Sequence, residues 1–223
     1  MSDGGGTSRP PIALEAREEA GARLFSPSAA RNRDAIRDAL LPALPADGAV
    51  LEIGSGTGEH VAHFAAAAPA LRWLPGDPDA ASRASIAAWT EHLGLNNIAA
   101  PHAIDAAAAD WADGRGPVDA VVSINIVHIS PFAAAEGLFS GAGRLLGEGG
   151  LLFLYGPFAR DGVHTAPSNA AFDESLRARD PRWGVRDVER DLVPLAGKSG
   201  LDLDRVAAMP ANNLSLFFRR RAR

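Results

Sequence analysis

Apolar positions along the chain keep two rhythms, and the rhythms alternate. Ile36, Leu40, Leu41 and Leu44 recur at helical spacing in "SPSAARNRDAIRDALLPAL", behind two candidate caps, Ser26 and Ser28. "AVLEI" at 49–53 is a short unbroken apolar run that stops at glycines, the mark of a buried strand, and "GEHVAHFAAAA" after it predicts a helix. "LRWLP" predicts a second strand. "DPDAASRASIAAWTEHLG" predicts a helix that Asp77 or Asp79 caps and Gly94 ends. "IAAPHAI" is a weaker third strand, and "VDAVVSINIVHI" at 118–129 a fourth, rich in Val and Ile. "PFAAAEGLFSGAGRLL" then predicts a helix, "GEGG" a tight turn and "LLFLYGPF" a fifth strand. Two more helices follow in "SNAAFDESLRARD" and "DVERDLVPLAGKSG". The last two strands are "LDLDRVAAM" and "LSLFFRRR".

Strands alternating with helices predict an α/β protein with a doubly wound, mostly parallel sheet of seven strands and helices on both faces. The last two strands have no helix between them, so they form an antiparallel hairpin at one edge. No repeat and no Pro/Gly-rich linker divides the chain. The expected organisation is a disordered leader over 1–10 and a single domain over 11–223, with 155–187 as a lid-like insertion. In such folds ligands bind beyond the carboxyl ends of the strands.

Charge and composition narrow the partners. The 223 residues carry a net charge of −5, so no basic field draws nucleic acid or anionic lipid. The basic end, "RRRAR", reads as a solvated terminus. The chain has no cysteine, which excludes disulfides, thiolate nucleophiles and Cys-rich zinc sites and is compatible with the cytoplasm. No apolar run approaches the ~18 residues of a membrane span. "MSDGGGTSRP" lacks the apolar core of a secretion signal. The expected partner is therefore a small molecule, with neither nucleic acid nor membrane; the oligomeric state has no signature.

The candidate chemistry starts in "VLEIGSGTGEH". Gly54, Gly56 and Gly58, with Ser55 among them, follow the first strand and open a helix, where a nucleotide-type cofactor approaches the backbone. The spacing G-x-G-x-G differs from the dinucleotide fingerprint G-x-G-x-x-G, since Glu59 stands where its third glycine would be. Glu52, just before the loop, repels a pyrophosphate and suits a cation. No G-K-[ST] follows, so there is no Walker-type phosphate loop. S-adenosylmethionine (SAM), with a sulfonium and an ammonium and no phosphate, fits this pattern. Asp77 ends the second strand, where an acid accepts ribose hydroxyls, or else merely caps the next helix. Asp105 ends the third strand as a partner for an adenine amino group or as a solvated acid. "DW" at 110–111 competes for that role.

This stretch resembles the first motif of class I SAM-dependent methyltransferases. From about residue 26 to the C-terminus the chain further resembles one small family, which includes methyltransferase-like protein 26. That likeness rests on "SPSAARNRDAI", "LEIGSGTGEHVAHFA", "WLPGDPD", "INIVHISP", "LYGPFARDGVHTAPSNAAFDESLRARDPRWGVRD" and "MPANNLSLFFRR". The resemblance implies a Rossmann-like methyltransferase fold and SAM binding at Glu52, Gly54, Gly56, Gly58 and Asp77, with S-adenosylhomocysteine (SAH) as product. One departure is Gly76 in "PGDPD", where the family leads one to expect serine.

The remaining polar residues fall into groups. Asn125 and His128 end the fourth strand, which in class I methyltransferases faces the methyl group. His128 there is either a general base or a histidine satisfied by backbone. Tyr155 ends the adjacent fifth strand. The segment after it carries His164, Asn169, Trp183 and Arg186. His128, His164 and Tyr155 are thus the candidate catalytic residues. Asn169, Asn212, Asn213, Arg186 and Trp183 are the candidate substrate contacts, although "RWGVRD" also suits a structural Arg186–Asp187 network and the asparagines of "MPANNL" also suit a turn. Asn125 and Asn32 join the cofactor set, Asn32 toward the methionine carboxylate, with Arg31 as a rival partner for it or for Glu15 or Glu18. His60 and His63 lack a third ligand at metal spacing, so no metal is expected. The expected function is methyl transfer from SAM to a small-molecule oxygen or nitrogen. The rivals are a non-catalytic SAM-binding module, other chemistry on the same fold, and a nicotinamide dehydrogenase.

Overall fold

The computed structural model describes residues 17–222. The expected leader over 1–10 lies outside the described residues, as does Glu15. The chain opens with a two-stranded hairpin, β1 (Glu18–Ala20) and β2 (Arg23–Phe25), which turns at Gly21 (φ 63°). Helix α1 (Pro27–Leu40) follows. The Ser26 side chain caps it by accepting from the Ala29 amide, and Pro27 occupies the first turn, where a missing N–H costs nothing. Then come β3 (Gly48–Ile53), α2 (Glu59–Ala67), β4 (Leu71–Gly76), α3 (Ala80–Leu93), β5 (Val118–Ile124), α4 (Phe132–Leu145) and β6 (Leu146–Gly156). A short hairpin, β7 (Ala159–Arg160) and β8 (Val163–His164), leads to α5 (Pro167–Arg179). One π-helical turn at Val188–Leu192 runs into α6 (Val193–Lys198), and β9 (Leu201–Met209) and β10 (Asn213–Arg220) close the chain.

The main sheet has six strands in the order β4-β3-β5-β6-β10-β9. β4, β3, β5 and β6 are parallel; β10 pairs antiparallel with both β6 and β9. Successive residues of a strand point to opposite faces, and both faces are covered. Val50, Val122, Phe153 and Phe217 pack under α1, α2 and α3, against Ile36, Phe64 and Ile86. Leu51, Val121, Leu152 and Phe218 pack under α4 and α6, against Leu138, Phe139 and Leu195. Burial on two faces is why these strands read as continuous apolar runs. Among the described residues no helix is long and apolar enough to cross a membrane.

Two expectations are corrected here, and one open alternative is settled. "IAAPHAI" does not form a seventh strand. It follows β4 through two isolated bridges, Trp73 to Ile98 and Gly76 to His102, because Pro75 and Pro101 each remove a ladder donor. The fourth predicted strand stops at Ile124 rather than Ile129. Asn125 turns the chain at φ 62°, and the Ile129 amide then bonds to the Ile126 carbonyl. Asp77 is not the cap of α3; Asp79 is, accepting from the Ser82 amide at 2.8 Å.

Candidate active site

A cavity of about 600 Å³ opens at the carboxyl ends of β3, β4 and β5. Its floor is the glycine loop, and its walls come from the β1–β2 hairpin, the start of α1, the start of α3 and the turn after β5. The loop is stitched to the end of β4: the Gly54 and Ser55 amides both donate to the Gly76 carbonyl, at 2.8 and 3.1 Å. The Gly58 amide turns back to the Ser55 carbonyl at 3.0 Å, and the Gly56 amide donates to Asp77 Oδ2 at 2.9 Å. At Gly58 (φ 86°) a Cβ would lie 2.8 Å from the Ile86 Cα, so this glycine lets α3 close on the loop. At Gly56 (φ 56°) a Cβ would meet nothing nearer than 3.9 Å. The third glycine is thus for packing, and the second leaves open space above the loop.

Two carboxylates face this space. Glu52 is 2% exposed, and its Oε2 has no hydrogen-bond partner. Burial pushes its pKa up to about 7, with Asp77 adding to the rise and Ser55 opposing it. Asp77 Oδ1 accepts from the Asp79 amide at 2.9 Å while Oδ2 holds Gly56. Burial raises its pKa too, against those two backbone bonds. Each Asp77 oxygen keeps a lone pair for a further donor. Arg17 reaches the same corner, donating to Ser82 Oγ at 3.4 Å.

Several supports were not anticipated. Glu59, buried in the first turn of α2, accepts from the Ser26 amide at 2.6 Å and the Thr57 hydroxyl at 3.0 Å, tying α1 to the loop. Ser85 donates to the Thr57 carbonyl at 2.6 Å and accepts from the Leu24 amide at 2.8 Å, tying the N-terminal hairpin to the same loop. Trp89 Nε1 donates to the Leu24 carbonyl, and Phe25 packs edge-on against the Trp89 ring. On the opposite wall His60 Nε2 lies 2.8 Å from Asn32 Oδ1. Burial, then His63 and Arg33, lower the His60 pKa to about 4.

The predicted residues separate cleanly. Glu52, Gly54, Ser55, Gly56, Asp77, Asn125 and Asn32 all line the cavity, and Gly58 supports it from beneath. Asp105 does not line it: the residue is exposed and Oδ1 accepts from the Ala107 amide in its own turn. His128 does not face it either. The turn at Asn125 carries His128 inward to zero exposure, where its ring packs on Phe158 at 4.6 Å and Nδ1 accepts from the Arg186 amide at 3.2 Å. Burial, then the Arg186 charge, lower its pKa to about 3. Tyr155 is buried and reaches the Asn32 side chain, which offsets part of the upward push of burial on its pKa.

Nor does the segment after Tyr155 fold over the cavity. His164 Nε2 lies 3.7 Å from Asp173, which also holds Arg177 and the Val185 amide. Asn169 donates to Thr165 Oγ1 and the Asn212 carbonyl, Asn212 to Ser168, and Asn213 to the Pro210 carbonyl of its own turn. Arg186 donates to the carbonyls of Val127, Ser130 and Arg182, clamping the turn after β5, and the Trp183 amide donates to the Asp180 carbonyl. This polarity satisfies backbone groups in the turn after β5 and in the turn before β10. Polar composition alone does not distinguish such scaffolding from a lid.

The sheet order, the glycine loop at its carboxyl edge and the acid ending the next strand are those of the Rossmann-like methyltransferase fold. The chain is similar to an O-methyltransferase family protein from Burkholderia thailandensis at 18% identity and TM-score 0.71, covering 86% of this chain and 60% of that one. It is similar at 18% identity and TM-score 0.72 to an O-methyltransferase family 2 protein from Planctomyces limnophilus in complex with apigenin, over 86% and 58% of the two chains. It is also similar to CalO1, a methyltransferase in calicheamicin biosynthesis in its SAH bound form, at 18% identity and TM-score 0.68, over 86% and 54%. The chain thus spans little more than half the length of these structures. Over residues 23–220 it matches, and it belongs to, the family described as protein of unknown function (DUF938).

Proposed function

We propose that the protein is a SAM-dependent methyltransferase acting on a small-molecule oxygen or nitrogen, with SAH as product. The observation that carries this reading is the unpartnered Oε2 of buried Glu52, set beside Asp77 on one cavity wall. A buried carboxylate oxygen without a donor is costly unless a proton or a cation meets it, and SAM brings an ammonium and a sulfonium. The free lone pairs of Asp77 suit the two hydroxyls of a ribose. Solved relatives in fold include a methyltransferase with SAH bound. The same reading makes the chain a relative of methyltransferase-like protein 26, on the motifs quoted above, and places it in the cytoplasm.

A dinucleotide fits less well. The amides of Gly54, Ser55, Gly56 and Gly58 are already bonded within the protein, so they are not turned to a pyrophosphate. Two acids beside the loop oppose phosphate further.

Bound SAM supplies a methyl group already activated by its sulfonium. The protein's share is alignment and exclusion of water. Asp77 and the glycine loop fix the nucleoside, Glu52 takes the ammonium, and Asn125, Ile126 and Ile129 form the wall on the acceptor side. His60, the histidine in that lining, has its pKa lowered to about 4 and is a poor base near neutral pH. His60 therefore does not take the acceptor's proton, and alignment is the protein's main contribution to the rate. Incubation with methyl-labelled SAM and fractionated metabolites tests the reading: label passes to a small molecule with one SAH per methyl. Tight SAM binding with no transfer to any fraction favours a SAM-binding module instead.

A further inference from the structure

Neighbouring strands are about 4.8 Å apart. Asp77 follows β4, the glycine loop follows β3, Asn125 follows β5, and Tyr155 lies near the end of β6, in that order across the sheet. The site therefore extends over three strand spacings, about 14 Å, from Asp77 to the corner where Asn32 meets Tyr155. The two ends differ in charge. Glu52, Asp77 and Asp79 crowd the first half, where the Arg17 guanidinium is set against Asp77 and Asp79, and Glu19 of the hairpin adds a further acid to the lining; Ser26, Ser28, Ala29, Asn32 and His60 at the second contribute none. A nucleoside whose diol rests on Asp77, as in the function proposed above on which this inference rests, sends its amino-acid tail toward Asn32. Arg17 there is already engaged by Asp77, Asp79 and Ser82, so the acids disfavour the carboxylate in that half and donors at the other end suit it better.

We propose that His60 is a positioning residue for that carboxylate: its Nε2–H holds Asn32 Oδ1, which turns the Asn32 amide nitrogen toward the cavity as the donor. The 2.8 Å contact occupies the acceptor end of the asparagine. An amide with its oxygen so fixed presents its two N–H groups on the other side. Tyr155 stands beside one of them, and the other is free for the ligand. Without the histidine the amide flips at little cost, and its oxygen would then oppose the carboxylate. His60 is neutral near pH 7, so it keeps one ring proton for this bond and adds no charge of its own.

Titration calorimetry with two probes tests this: SAH, and its decarboxylated analogue S-adenosyl-3-thiopropylamine, which keeps the ammonium and lacks the carboxylate. His60→Ala should weaken SAH by about 10-fold, the scale of one charge-assisted hydrogen bond, and change the analogue by less than about 2-fold. His60→Gln, whose amide nitrogen reaches the place of Nε2, should recover SAH binding to within about 3-fold. Equal losses for both probes, or no loss for SAH, would overturn the assignment. Should His60→Ala fail to fold, Asn32→Asp decides: it should cost SAH more than about 10-fold and spare the analogue, whereas the same effect on both probes refutes the proposal. If the unmodified protein binds neither probe, the SAM reading itself fails and the inference with it.

Discussion

Asp77 Oδ2 accepts the Gly56 amide at 2.9 Å, so the acid that ends β4 also sets the loop that ends β3. One side chain thus shapes the floor of the cavity and keeps lone pairs for what binds above it. Asp77→Ala should lose two ligand hydrogen bonds and loosen the loop together. The expected cost is about 1.5–3 kcal/mol in SAH affinity. Calorimetry on the folded variant measures it, and an unchanged affinity removes Asp77 from the site.

Glu52 makes stability depend on pH. Its folded pKa is raised from 4.5 to about 7 by burial, so between those values the folded state holds a proton that the unfolded state has lost. Stability therefore falls as pH rises from about 4.5 to 7, by up to about 3 kcal/mol for a shift of this size. Glu52→Gln should flatten this slope, stabilise the ligand-free protein at pH 8 and weaken SAH binding. Urea denaturation at pH 5 and pH 8 checks the first two; an unchanged slope in the variant would assign the pH dependence to other groups.

Ser85 links hairpin to loop. Ser85→Ala leaves the buried Thr57 carbonyl and the half-buried Leu24 amide without their partner. A loss of about 1–3 kcal/mol is expected. Limited proteolysis should then cut within the N-terminal hairpin before the rest of the domain. Equal protection in both proteins would show that Trp89 and Phe25 hold the hairpin alone.

His128→Ala separates core from catalysis. Removing a ring packed on Phe158 at zero exposure leaves a cavity worth about 2–4 kcal/mol of stability. SAH affinity at a temperature where the variant is folded should not change. A selective loss of binding or turnover without loss of stability would return His128 to the site.

Much of this was legible because it is local. The alternation of apolar runs and helical spacings specifies the doubly wound sheet, and Glu52, the glycines and Asp77 sit at strand ends that those runs define. What was not legible joins distant positions. Glu59 reaches Ser26, Ser85 reaches Leu24 and Thr57, and His60 reaches Asn32, with no local pattern announcing any of them. The β1–β2 hairpin has three-residue strands, "EEA" and "RLF", too short for a period of two to show. His128 was misread because "INIVHI" continues the apolar run of β5, whereas Asn125 breaks the strand through a left-handed backbone that asparagine tolerates. The seventh strand failed on two prolines that apolar pattern alone overlooks.

If the proposed function holds, the cavity above the glycine loop takes a cationic nucleoside rather than a dinucleotide. Calorimetry of the unmodified protein against SAH and against NAD tests it most directly. One SAH should bind saturably per chain, with no heat from NAD. Binding of NAD, or no binding of SAH, would contradict it.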